Sequence, residues 1–156
     1  MAALPARRRL FVALEREKRA TIATIHAEIW GSTNFPGPAG SFELRAKADR
    51  IEVHRDGSLV IVDYKTGTVP SLAEIKTFSP QLPLEAIIAE DGGFKDVAGV
   101  IRALEHIKLS GGKESGKVAK IDADLAALIA ATREGLTRWI ARFDDAATPY
   151  VSRRAP

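Results

Sequence analysis

Two aspartates and a lysine in one short stretch could hold a divalent cation against a phosphodiester. They are Asp49, Asp63 and Lys65, within LRAKADRIEVHRDGSLVIVDYKTG (residues 44–67). Two carboxylates brought face to face in a sheet repel each other, and both stay ionised only with a counter-charge nearby. Mg²⁺ commonly takes one or two carboxylates and completes its octahedron with waters and phosphate oxygens. A lysine two residues beyond the second aspartate points to the same side of a strand. There its ammonium can orient or help deprotonate a water and steady the charge that develops on phosphate.

The two aspartates meet only if the stretch folds as a hairpin in one particular register. Asp56-Gly57 is a hairpin-turn pair, and a three-residue loop Arg55-Asp56-Gly57 wants Gly57 in the left-handed region. Position 54 then pairs with 58, 53 with 59, 51 with 61, and 49 with 63. Val53 faces Leu59, Ile51 faces Ile61, and Asp49 faces Asp63 at about 5 Å between Cβ atoms, with Lys47 near Lys65. A two-residue loop would break the Ile51–Ile61 match and put the aspartates on opposite faces, because a one-residue slip flips every side chain. The apolar pairing therefore selects the first register. For an isolated D-x-K a solvated strand end is the commoner explanation; a second Asp opposite it reverses the balance.

The rest of the chain reads as support for this hairpin. Residues 6–28 lack Gly and Pro and space Phe11, Leu14, Ile22 and Ile25 as a helix would. A short strand is expected around Glu28–Trp30, and GSTNFPGPAGS (31–41) is expected to be an exposed loop. Leu59–Val62 is a β-branched run suited to a strand buried on both faces. Ser71 and Glu74 form a capping box opening a short helix. Ser79 and Pro80 are placed as N-cap and first residue of a second helix carrying Gln81, Leu82, Leu84, Glu85, Ile87 and Ile88 and ending at Gly92-Gly93. Residues 97–109 read as a strand, with helix an alternative for the first half, and 110–117 as an exposed connection. Asp122 is expected to cap a long helix with Leu125, Leu128, Ile129, Thr132, Leu136, Trp139, Ile140 and Phe143 on one face. Trp30 and Trp139 are expected to be packing residues, and the tail from Thr148 to be extended.

Composition narrows the chemistry further. The 156 residues suffice for one domain, 1–156, with 46% hydrophobic and 28% charged residues. Absence of cysteine removes disulfides, thiol nucleophiles, cysteine-held zinc and iron–sulfur clusters. With three histidines, His26, His54 and His106, the expected metal is a hard cation on oxygen. No apolar run reaches membrane-spanning length, and the basic start lacks a signal-peptide core, so a cytoplasmic location away from membranes is expected. Basic residues at both ends could touch a polyanion or form a solvated face.

ADRIEV…DGSLVIVDYKTG, followed by PS…SPQLPLEA, resembles the RecB-like branch of the PD-(D/E)xK nucleases. Within it, the resemblance is greatest to the C-terminal nuclease domain of the AddB subunit of AddAB helicase–nucleases, over roughly residues 10–155, the ending ATPYVSRRAP included. This resemblance implies an α/β (α+β) restriction-endonuclease-like core, a central mixed sheet flanked by helices. It implies Asp49, Asp63 and the Tyr64 backbone carbonyl as ligands of Mg²⁺, with Mn²⁺ a possible substitute. Lys65 would be the catalytic lysine and Gln81 the motif glutamine reaching the site or the DNA. It also implies cleavage of single-stranded DNA in double-strand break repair, as an exonuclease rather than an endonuclease, beside an AddA-like helicase partner. Two features depart from the pattern. The tyrosine usual four residues after the glutamine is Glu85 here. The early-helix His or Glu has no clean match, the nearest being His26 and Glu28, with Glu28 the harder ligand. An incomplete early helix leaves open a non-cleaving DNA-binding or scaffold domain, a stand-alone RecB-like nuclease, or a piece of a longer subunit.

Overall fold

The structure is a computed structural model, and it describes residue 16 and residues 18–109 and 117–150. Its elements run β1 (Ile22–Gly37), β2 (Gly40–His54), β3 (Ser58–Lys65), α1 (Leu72–Thr77), α2 (Gln81–Glu90), β4 (Val100–Lys108), β5 (Val118–Lys120) and α3 (Leu125–Phe143). The strands form one sheet in the order β1-β2-β3-β4-β5. All neighbours are antiparallel except β3 and β4, which run parallel. A parallel pair needs a long crossover, and α1 and α2 supply it. The expected mixed sheet with flanking helices is the observed fold.

The β2–β3 hairpin has the register that the apolar pairs require: Val53↔Leu59, Ile51↔Ile61 and Arg50↔Val62. Gly57 takes φ +79, and its amide donates to the His54 carbonyl at 3.0 Å. Leu59, Val60, Ile61 and Val62 are all buried, as a central strand demands. Leu59 and Ile61 join Leu104 and the apolar sides of α2 and α3 in the main core, while Val60, Val62 and Ile107 form a smaller cluster on the reverse face. That reverse face also buries Glu52, which meets Arg50 at 2.9 Å, Lys18 at 3.2 Å and His54 at 3.4 Å. Buried charge is tolerated when paired in this way.

Several expectations are corrected. The helix expected over 6–28 does not reach its end: β1 starts at Ile22 and takes in Glu28–Trp30, while residues 6–15 and 17 lie outside the described residues. The loop expected over 31–41 is instead the hairpin joining β1 to β2, paired from Gly31↔Ala46 to Gly37↔Gly40. Pro36 is tolerated because β1 is an edge strand. Gly31 and Gly37 make room for neighbours: a Cβ at 31 would lie 2.3 Å from the Phe94 ring, and one at 37 lies 2.5 Å from the Asp144 carboxylate. Composition suggested a loop; packing uses the same residues as an edge.

The Ser71–Glu74 capping box forms as expected. α2 begins one residue later than expected, so that Pro80 is the N-cap and no side chain caps it. Its other end is a Schellman arrangement, with Gly92 at φ +71 donating to the Ala89 carbonyl and Gly93 to that of Ile88. The cap of α3 is Asp124 rather than Asp122, accepting from the Ala127 amide at 3.1 Å. Leu128, Ile129 and Ile140 of its apolar face are buried. Trp139 and Trp30 are not core residues: they are 54% and 61% exposed, each under an arginine, Arg142 and Arg45 respectively. The expected strand over 97–109 is β4, and the connection expected over 110–117 lies, save Lys117, outside the described residues. Tyr150 stacks on Phe143, and residues 151–156 of the tail are likewise outside them. Among the described residues no helix is long and apolar enough to cross a membrane.

Gly93 locks α2 to the edge hairpin. Ser32 donates its amide to the Gly93 carbonyl at 3.2 Å, and a Cβ at 93 would lie 2.1 Å from the Ser32 oxygen. Gly93→Ala is expected to cost about 1–3 kcal/mol through forced separation of these backbones. Urea denaturation of the purified chain measures it.

Candidate active site

Asp63 and Lys65 close β3, and Asp49 lies on β2 one step past the last ladder pair, Arg50↔Val62. The Asp49 carboxylate accepts the Tyr64 backbone amide at 3.0 Å, which ties it to the residue after Asp63. Core-facing positions on β2 switch parity at this point: Leu44, Ala46 and Ala48 pack on the main core before Asp49, and Ile51 and Val53 after it. A change of parity within a strand re-aims a side chain, as a bulge does. On β1, between the pairs Ala27↔Arg50 and Ile29↔Ala48, Glu28 holds the left-handed φ of +54. The local distortion thus sits at Asp49 and its cross-strand neighbour.

Asp63 is 3% exposed. The Lys65 ammonium lies 2.9 Å from its Oδ2 and 3.1 Å from its Oδ1. Burial opposes ionisation of Asp63, but the hydrogen bonds from His106 and Lys65 and the positive charge of Lys65 outweigh it and hold the carboxyl below the usual carboxylate range. Lys65 also donates to Gln81 Oε1 at 3.2 Å. Gln81, in the first turn of α2, donates through Nε2 to Glu85 Oε1 at 3.1 Å. An unbroken polar chain therefore runs Asp63–Lys65–Gln81–Glu85. It fixes the amide of Gln81 with its oxygen toward the lysine.

Glu85 and His106 are the site residues that sequence reasoning missed. Glu85 is 1% exposed and its Oε2 is buried without a hydrogen-bond partner among the described residues. Burial, and then the nearby charges of Asp63 and Asp49, push it up to about 7 against the opposing bond from Gln81. Its spacing of four from Gln81 was an available signal, since residues i and i+4 share a helix face. His106 stands beside Asp63 in the parallel β3–β4 register, with Nδ1 3.1 Å from Asp63 Oδ2. No local pattern announces that neighbour.

The two early candidates make other contacts, although Glu28 lies across the strands from Asp49. Glu28 is 64% exposed at its side chain and pairs with Lys47, the lysine expected near Lys65. His26 lies opposite Ile51, with its Nε2 buried and without a hydrogen-bond partner. The structure thus assembles Asp49, Asp63, Lys65 and Gln81, and does not bring Glu28 into that group. Glu28→Gly is expected to raise stability by about 1 kcal/mol, since glycine adopts a left-handed φ without the Cβ penalty. Chemical denaturation checks this.

The donor set suits a hard divalent cation. Asp49 and Asp63 would hold it, and the Glu85 oxygen without a partner places a third carboxylate in their field. Among the described residues no three His, Asp or Glu side chains are grouped as a complete cage. Mg²⁺ needs none, because it keeps waters and phosphate oxygens in its shell.

Four relatives among curated proteins match significantly. An uncharacterized protein of Rickettsia bellii is 35% identical over 85 residues, 54% of this chain and 10% of that protein. Uncharacterized protein RT0391 of Rickettsia typhi matches with the same identity and coverage. The aligned segment is thus about a tenth of the length of these relatives. The crystal structure of SSO0001 is similar over 83% of this chain and 57% of that one, with a TM-score of 0.44 and 11% identity. The model of the PD-(D/E)XK nuclease superfamily matches residues 2–154, nearly the whole sequence, and the chain belongs to that superfamily.

Proposed function

We propose that this chain is a Mg²⁺-dependent DNA nuclease domain that hydrolyses phosphodiesters of single-stranded DNA. The observation that carries this reading is the convergence of Asp49, Asp63, Lys65 and Gln81 at the end of β3, in a chain of this superfamily. When bound, the divalent cation supplies Lewis-acid polarisation of phosphate and a more acidic water. Asp49 and Asp63 would hold it, with the Tyr64 carbonyl as a further oxygen. Lys65 is fixed by Asp63 on one side and Gln81 on the other, so its ammonium needs no reorganisation to meet negative charge growing on a phosphate oxygen. A water attacks phosphorus in line, the P–O bond to the leaving strand breaks, and the leaving oxygen takes a proton.

The finer reading is an exonuclease in an AddAB-like helicase–nuclease that processes double-strand breaks beside an AddA-like subunit. The motif resemblance of residues 44–67 and 79–86 supports it, and so does the small share of the relatives' length that the aligned segment occupies. Incubating the purified chain with end-labelled single-stranded DNA and Mg²⁺ is the test. Cleavage is expected, with Mn²⁺ able to replace Mg²⁺ and EDTA stopping the reaction. Lys65→Ala is expected to lower the rate by about a hundred-fold. Absence of both Mg²⁺ binding at Asp49 and Asp63 and nicking of single-stranded DNA would instead identify a scaffold domain. Co-purification of the native protein with a large helicase chain separates the AddAB-like assignment from a stand-alone nuclease.

A further inference from the structure

We infer that His106 is a positioning residue for the metal ligand Asp63, an inference that rests on the nuclease reading. Parallel pairing of β3 with β4 sets His106 directly beside Asp63, and both side chains are 4% exposed. An ionised carboxylate only accepts hydrogen bonds, so the ring carries its proton on Nδ1 and donates it to Oδ2 at 3.1 Å. Lys65 reaches the same oxygen at 2.9 Å. Oδ2 is therefore held by two donors, and Oδ1 has Lys65 alone at 3.1 Å. A carboxylate pinned through one oxygen cannot spin about its Cβ–Cγ bond, and it presents the other oxygen to a cation in a fixed direction. Partners that fix ligand orientation in this way are a general feature of metal sites.

The far side of the ring makes no hydrogen bond among the described residues, and its Nε2 is buried. The ring borders a cavity of about 200 Å³ whose walls include the apolar Val69, Leu72, Ile75 and Ile121 and the charged Lys120 and Asp122. A leucine at 106 would put no unpaired ring nitrogen there. The histidine places a polar edge against these walls, and what it gains is the bond to Asp63.

Three variants of the full chain test this by calorimetric titration with Mg²⁺ in the absence of DNA, with circular dichroism to confirm folding. His106→Leu removes the donor; His106→Asn puts an amide N–H where Nδ1 stands; His106→Gln puts one nearer Nε2. The leucine variant is expected to bind Mg²⁺ about 10–100-fold more weakly, with asparagine restoring most of the affinity and glutamine little. Wild-type affinity in His106→Leu, or rescue by glutamine and not asparagine, would overturn the inference while leaving the nuclease reading intact. If the leucine variant does not fold, the asparagine–glutamine comparison decides. A wild-type chain that binds no Mg²⁺ would overturn both.

Discussion

An Asp63→Asn chain is expected to lose Mg²⁺-dependent cleavage of single-stranded DNA by on the order of a thousand-fold or more while remaining folded. Asp63 stands at the head of the polar chain that builds the site. It receives Lys65 and His106 directly, it neighbours Asp49 through the Tyr64 amide, and its charge is felt at Glu85. Asparagine keeps the size and one acceptor oxygen, so the fold loses little more than a partly exposed ion pair with Lys65, whose side chain is 26% exposed. What disappears is the negative charge that would attract a cation and keep the lysine in place. Asp63→Ala is a harsher change, because it also strands the buried His106 donor, and a buried donor left unpaired costs about 1–3 kcal/mol. The asparagine variant therefore separates chemistry from stability. Single-turnover cleavage assays beside a denaturation curve measure the two; undiminished cutting by the pure variant would remove Asp63 from the mechanism.

The hairpin was legible because its register is over-determined. Ile51 and Ile61 must meet in the core, Gly57 can take the turn's left-handed position, and these two facts leave one alignment. Asp49, Asp63 and Lys65 then follow from strand geometry, with Gln81 placed by the motif resemblance. What the sequence hid depends on contacts distant along the chain. Beyond the short strand expected at Glu28–Trp30, β1 could not be read as a strand because its glycines and Pro36 carry loop chemistry, and packing against Phe94 and the end of α3 accounts for Gly31 and Gly37. The two tryptophans read as core residues because size alone does not tell which side of an element faces solvent. His106 meets Asp63 only after a crossover of two helices, and no local pattern fixes a parallel register across such a connection. Glu85 was visible as a departure from the motif; what it meant needed its burial.

That burial makes Glu85 the source of a pH-dependent stability with an unusual sign. Its folded value of about 7 lies above the ordinary 4.5, so between those limits the folded chain binds a proton that the unfolded chain has lost. Stability is therefore greatest near and below pH 4.5 as far as this group is concerned, and it falls as pH rises toward about 7. The full span is about 3 kcal/mol. Asp63, Asp91, Asp56 and Glu74 are all held below their ordinary values, 3.8 for the aspartates and 4.5 for Glu74. Their contributions have the opposite sign and are lost only at more acid pH, so among these carboxylates Glu85 is the one whose contribution falls between pH 4.5 and 7. Glu85→Gln is expected to flatten the profile there and to make the chain more stable than wild type at pH 8. Urea denaturation at a series of pH values reads this directly, and an unchanged slope in the variant would show that Glu85 does not titrate in the window. The same experiment ties the group to the site. Asp63 and Asp49 are among the causes of the raised value, so Mg²⁺ that neutralises them is expected to reduce the wild-type slope and to have little effect on that of Asp63→Asn. A slope that ignores Mg²⁺ would mean that the cation does not reach these two carboxylates.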